Sequence, residues 1–171
     1  YYQICQTSLV VSRIAYGCAN LTGWKKGPLS QHEIDKAERL VRTAHEQGIT
    51  LFDHADLYGF GRSEEAFGEI LGRDSTFRQK IVIHSKCGQV LRERDGINGP
   101  IHIDLSLGHI IASVDTSLAR MRCGHIDILL LHAPSALVHP DEVARAFDEL
   151  HASGKVRYFG VSNHNAPQIE L

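Results

Sequence analysis

The chain has 171 residues, 43% of them hydrophobic and 22% charged, a balance that belongs to an ordinary globular protein with a core of its own. Its formal net charge is -2. With no run of Lys or Arg beyond Lys25-Lys26, it carries no electrostatic footprint for nucleic acid or an anionic membrane surface. No apolar run approaches the roughly 18 residues of a membrane span. Four widely spaced cysteines without a C-x-x-C pair argue against a zinc knuckle or a disulfide framework, and for reduced thiols in a cytoplasmic protein.

The start, Tyr1-Tyr2-Gln3, places no charged segment ahead of an apolar one, so no signal peptide is visible, and the missing initiator Met points to a trimmed N-terminus. Gln3–Cys5 and Leu9–Val11 flank Gln6-Thr7-Ser8 and are expected to pair as a hairpin that caps one end of the fold. Five apolar runs follow, at 14–18, 50–53, 81–85, 126–131 and 156–161. They are apolar throughout instead of alternating, as buried parallel strands are.

Helical patterns separate these runs. Ser30 and Glu33 form a capping box ahead of Ile34, Ala37, Leu40, Val41 and Ala44, and Gly48 closes that helix. Ser63 stands where it would cap a second helix, whose early acids Glu64 and Glu65 suit the positive end of its dipole and whose buried stripe is Ala66, Phe67, Ile70 and Leu71. Ile110, Val114, Leu118 and Met121 mark a third. Pro140 opens a fourth, with Val143, Ala144, Phe147 and Leu150 facing inward, and Asn165-Ala166-Pro167 begins a fifth. The stretch from Val90 to Leu105, with Asp95-Gly96 and Asn98-Gly99-Pro100, reads as a long surface loop.

This order predicts an α/β protein: a (β/α)8 barrel of which the chain carries an N-terminal hairpin and about five βα units. The whole of 1–171 forms a single, incomplete barrel domain. A closed barrel needs eight strands and about 250 residues. The open doubly wound alternative would place G-x-G-x-x-G after its first strand, where Gly17-Cys18-Ala19-Asn20 stands instead. Left open, such a sheet invites self-association through its edge.

Barrel chemistry gathers at the C-terminal ends of strands. Asp53 and Tyr58 follow the second run, Lys86 the third, His132 the fourth, and Ser162-Asn163 the fifth. A phenol beside a lysine ammonium can give up its proton, a carboxylate keeps that lysine charged, and an imidazole can share the same reacting oxygen. This is a kit for proton transfer to a carbonyl under reduction. It contains no nucleophile, so a cofactor must supply hydride. Each residue also has a plainer reading: Asp53 and Lys86 as a structural ion pair, Tyr58 as a packing aromatic, His132 as a core histidine, Ser162-Asn163 as a helix cap. The remaining histidines read as surface or supporting residues. No metal site is expected, since His54 and Asp56 alone make a weak ligand pair.

Phe52-Asp53-His54-Ala55-Asp56-Leu57-Tyr58-Gly59, followed by Ser63-Glu64, resembles the aldo-keto reductase signature. Ile81–Lys86, Asp127–His132 and the stretch from Gly154 to Asn163 match that family's later motifs in order, and the opening Val11–Gly17 is similar to its bacterial oxidoreductase branch. The resemblance implies an NADPH-dependent reductase of small aldehydes and ketones, working as a monomer once its eight-stranded barrel is complete, with NAD left open as cofactor. It implies a catalytic tetrad of Asp53, Tyr58, Lys86 and His132, nicotinamide contacts from Ser162 and Asn163, and a substrate-pocket wall from Trp24. Two other outcomes stand beside it: a non-catalytic nicotinamide-nucleotide-binding regulatory subunit, and an inactive barrel fragment.

Overall fold

The computed structural model describes residues 1–94 and 97–170, with the backbone alone for 92–94 and 97–100. An N-terminal hairpin pairs β1 (Tyr2–Gln3) with β2 (Val10–Val11). The chain then lays down β3 (Ala15–Gly17), β4 (Leu51–Asp53) and β5 (Val82–Cys87). A ribbon of β6 (Gln89–Arg94) and β7 (Ile97–Ile103) follows, and then β8 (Ile126–Leu131) and β9 (Val156–Val161). Strands β3, β4, β5, β8 and β9 form one parallel sheet in that spatial order. Helices α1 (Gln31–Glu46), α2 (Arg62–Arg73), α3 (Leu107–Met121) and α4 (Pro140–Ala152) fall between successive strands, and α5 (Ala166–Ile169) follows the last.

The five expected strands are all present, and pairing register divides each into two faces. Phe52, Ile83 and Leu129 point toward the helices and are buried. Phe52 packs against Phe67 of α2 and against Phe77, with ring centroids 5.4 and 6.4 Å apart, and Phe159 stacks on Phe147 of α4 at 4.1 Å. The opposite face carries Leu51, Asp53, Val82, His84, Ile128 and Tyr158, all only partly covered. The hairpin is tied to this second face, because the Ser8 backbone N–H donates to the Tyr158 hydroxyl at 3.1 Å.

Local chemistry explains most helix boundaries. The Ser30–Glu33 capping box forms as expected, and Gly48, at φ +85°, takes the left-handed turn that ends α1. Pro140 occupies the first turn of α4. Four expectations need correction. Helix α2 starts at Arg62 behind a left-handed Gly61, and the Ser63 hydroxyl, instead of capping, donates to the Cys18 carbonyl at 2.8 Å. Ala144 is exposed and Ala146 takes the inward position on α4. Leu40 is likewise exposed on α1. The span from Val90 to Leu105 is mostly ribbon: β6 and β7 pair antiparallel with a register shift between Leu91 and Glu93. Asp95-Gly96, read as part of a loop, lies outside the described residues.

Helices α2 and α3 approach closely through Gly68. A Cβ there would sit 2.0 Å from the Arg120 carbonyl oxygen, a backbone atom that cannot swing aside. Gly68→Ala should therefore destabilise the protein by about 1–3 kcal/mol through overpacking, despite the better helix propensity of alanine. A urea midpoint unchanged or raised by the substitution would contradict this packing.

Candidate active site

Pairing register sets Asp53 of β4 directly beside His84 of β5, and Lys86 follows two residues later on the same face. The side-chain ammonium of Lys86 is almost wholly buried, at 8% exposed. It donates to the Asp53 carboxylate, to the His54 carbonyl at 2.9 Å and to the Tyr58 hydroxyl at 3.1 Å. Three N–H groups meet three acceptors. His132 directly follows β8, its backbone N–H held by the Cys87 carbonyl at 2.9 Å, and its ring stands edge-on to Tyr58 at 6.0 Å between centroids.

A strained loop delivers Tyr58. Its backbone N–H bonds the Ala55 carbonyl, and the Asp56 N–H bonds the Lys86 carbonyl, both in the 3.0–3.1 Å range. Gly59 and Phe60 then turn left-handed, at φ +58° and +60°, a conformation that costs a phenylalanine energy and persists only where neighbours enforce it. A Cβ on Gly59 would lie 2.9 Å from the Gly23 carbonyl, so the loop after β3 packs hard against this turn. That loop carries Trp24, half exposed, edge-on to Tyr58 at 6.4 Å and to Phe60 at 5.9 Å. Arg62, 3% exposed, donates to the Thr22 and Lys25 carbonyls of that loop, both at 3.5 Å, and ion-pairs with Glu33 of α1 at 2.7 Å.

Burial and charge set the ionisation of the cluster. Burial pushes the Asp53 carboxyl up, but hydrogen bonds from His84 and Lys86, and their charge, outweigh it and bring the group down to about 2. Burial, reinforced by the Lys86 charge and opposed by Asp53, lowers His132 to about 4, so its imidazole is neutral at pH 7. His132 Nδ1 is buried without a partner. Burial raises the Cys87 thiol, further raised by Asp56 and Glu64, which leaves it a quiet, protonated group.

The structure thus brings Asp53, Tyr58, Lys86 and His132 together, with Trp24 beside Tyr58. Ser162 and Asn163 lie at the end of β9. The Asn163 side-chain amide donates to the His132 carbonyl at 2.7 Å, its backbone left-handed at φ +61°, and the Ser162 N–H donates to the Leu131 carbonyl. Sequence reasoning missed three contributors. His84, grouped with surface or supporting histidines, bonds Asp53 at 2.6 Å through Nε2. His54 is completely buried against Phe67, where desolvation lowers it to about 3; its carbonyl, which no side-chain pattern reveals, holds Lys86. Arg120 of α3 donates to the Asp56 carbonyl at 2.9 Å and to Glu64 at 3.3 Å, clamping the Tyr58 loop from behind.

Comparison with known proteins matches residues 13–171 to the Aldo/keto reductase family, and the chain belongs to that family. It is 40% identical over 95% of its length to the uncharacterized oxidoreductase YcsN of Bacillus subtilis, covering 53% of that protein. It is also 40% identical over 94% of its length to the oxidoreductase YdhF of Escherichia coli, covering 51% of it. Among solved structures, the glycerol dehydrogenase AKR11B4 of Gluconobacter oxydans superposes with a TM-score of 0.85 at 33% identity, over 98% of this chain and 50% of that one. The chain spans about half the length of the curated relatives it matches. Its parallel sheet with alternating helices is therefore a partial (β/α)8 barrel. Among the described residues, no helix is long and apolar enough to cross a membrane.

The Asp56 carboxyl, behind the Tyr58 loop, is raised to about 7, chiefly by burial and then by the charge of Glu64, with Ser113 and Arg120 opposing. A raised carboxyl binds a proton more tightly folded than unfolded, where its value is about 3.9. Stability contributed by that proton is full below pH 4 and is lost as pH rises to about 7. Asp56→Asn removes the titration, so its stability relative to wild type should climb between pH 4 and 8, by on the order of 3 kcal/mol. Denaturant midpoints measured across that range check it; a constant offset would contradict the assignment.

Proposed function

We propose that the chain carries the proton-delivering side of an NADPH-dependent reductase that converts aldehydes or ketones to alcohols, with Tyr58 as general acid. The observation that carries this reading is the Lys86 ammonium, held by Asp53 and the His54 carbonyl and aimed at the Tyr58 hydroxyl 3.1 Å away. As the phenol gives its proton to a substrate carbonyl oxygen, the ammonium stabilises the phenolate left behind. At that distance and an effective dielectric near 20, the attraction is about 5 kcal/mol before desolvation opposes it. Asp53 keeps the lysine charged and oriented. His132, uncharged at neutral pH, shares the substrate oxygen as a hydrogen-bonding partner, and Trp24 forms a wall of the pocket.

The nicotinamide cofactor supplies the hydride when bound. The residues at the end of β9 fit its carboxamide. With the Asn163 Nδ2 donor engaged by the His132 carbonyl, its Oδ1 remains an acceptor for an amide N–H, and the Ser162 hydroxyl can donate to an amide oxygen. NADPH is preferred to NADH on the family resemblance. The named activities of similar proteins, oxidoreductases and a glycerol dehydrogenase, belong with alcohol–carbonyl interconversion.

In the full-length protein, Tyr58→Phe keeps the ring and removes only the proton. Turnover of a small aldehyde should fall about 10²- to 10⁴-fold, while NADPH affinity, followed by nicotinamide fluorescence, stays unchanged. Unaltered turnover would refute Tyr58 as the acid.

A further inference from the structure

We propose that His84 is a positioning residue of this site: its imidazole fixes the Asp53 carboxylate, ionised and in one orientation, so that Lys86 always meets a counter-charge. The inference rests on the reading of Asp53 as the partner of a catalytic Lys86.

The parallel register makes His84 the direct neighbour of Asp53 across β4 and β5. Its Nε2 lies 2.6 Å from Asp53 Oδ1, the same oxygen that accepts from Lys86. An ionised carboxylate can only accept, so Nε2 carries the hydrogen, and the ring is the Nε2–H tautomer or the cation. A carboxylate on one donor turns easily, because its terminal torsion is broad. Two donors spaced one pleat apart on a single strand hold it. The side chain of Asp53 is 26% exposed, so water competes for it and a single lysine contact would leave it loosely placed.

Other ionisable groups face Asp53 without replacing this bond. Cys18, whose backbone N–H donates to the Asp53 carbonyl, is a buried thiol raised well above its usual range by burial and then by Asp53. His54, next in the chain, is buried and uncharged at neutral pH, and His132 across β5 is uncharged as well. Tyr58 reaches Asp53 only through Lys86. Lys86 and His84 are thus the groups that pull the Asp53 carboxyl down, with the hydrogen bond from His84 first among the lowering influences.

The test uses full-length protein labelled with 13C at aspartate carboxyls. In wild type, Asp53 should stay ionised to the acid end of the measurable range. In His84→Leu its midpoint should rise by about one pH unit or more, and His84→Gln, which keeps an amide donor, should restore most of the shift. The acid limb of the turnover profile should move with it, whereas a merely structural loss would lower turnover evenly at all pH values. Identical Asp53 midpoints in wild type and His84→Leu would overturn the inference, whatever the activity. A shifted midpoint in a wild-type protein that reduces no carbonyl compound would uphold the His84–Asp53 linkage and sink the reductase reading instead. Should His84→Leu fail to fold, ring 15N shifts of wild-type His84 decide: a neutral Nδ1–H tautomer overturns the proposal, and a protonated Nε2 supports it.

Discussion

An ammonium taken out of water must find acceptors for all three of its N–H groups, and Lys86 does so with Asp53, the His54 carbonyl and the Tyr58 hydroxyl. Leaving even one unmet would cost several kcal/mol at a site this buried. Those acceptors come from the end of β4 and from the loop that follows it. The demand of one side chain therefore sets the pairing of β4 with β5, the path of the loop and the placement of the phenol. Chemistry and fold share the same bonds here.

The back of that loop is secured differently. Asp56 offers its N–H to the Lys86 carbonyl and its carbonyl to Arg120, so one residue is gripped from the sheet on one side and from α3 on the other. Arg120 also meets the wholly buried Glu64, whose other oxygen accepts from Ser85 at 3.1 Å. The guanidinium lies close against Gly61, where a Cβ would come within 2.4 Å of it. Glycine is favoured there by its left-handed backbone at φ +90°, and a Cβ would also push the guanidinium off its partners. A buried carboxylate paired with arginine adds little net stability; its effect is to fix where Tyr58 stands.

The fold was largely legible because its signals are local and redundant. Runs of β-branched residues mark the five strands within two residues, a capping box with a terminal glycine bounds α1, and an early proline opens α4, while the apolar stripe of α3 shows the helix but not its start at Leu107. The ribbon of β6 and β7 was hidden because Gly99 and Pro100 inside β7 are turn signals, and antiparallel pairing of a short ribbon tolerates what a central strand would not. Ser63 misled for a related reason: a serine ahead of two acids looks like a cap, but Gly61 turns the chain one step earlier and frees the hydroxyl for the Cys18 carbonyl. Placing Ala144 inward runs against the helical period: Ala146 lies three residues after Val143 and four before Leu150, on their common buried face, whereas Ala144, adjacent to Val143, turns away from it.

For the site, residue type and strand-end position sufficed to single out Asp53, Tyr58, Lys86 and His132, because few other groups could share one proton-transfer task. The sequence could not show that His84 belongs with them, since a histidine in an apolar run looks like any other core or surface histidine. Nor could it show that the His54 backbone, not its ring, meets the lysine. Those facts depend on register: a shift of one residue between β4 and β5 would turn His84 to the helices and leave Asp53 facing a different neighbour. Composition and spacing determined which groups this chain brings to its strand ends. Only the packed sheet decided which of them touch, because hydrogen bonds are won or lost over distances far smaller than any sequence pattern can resolve.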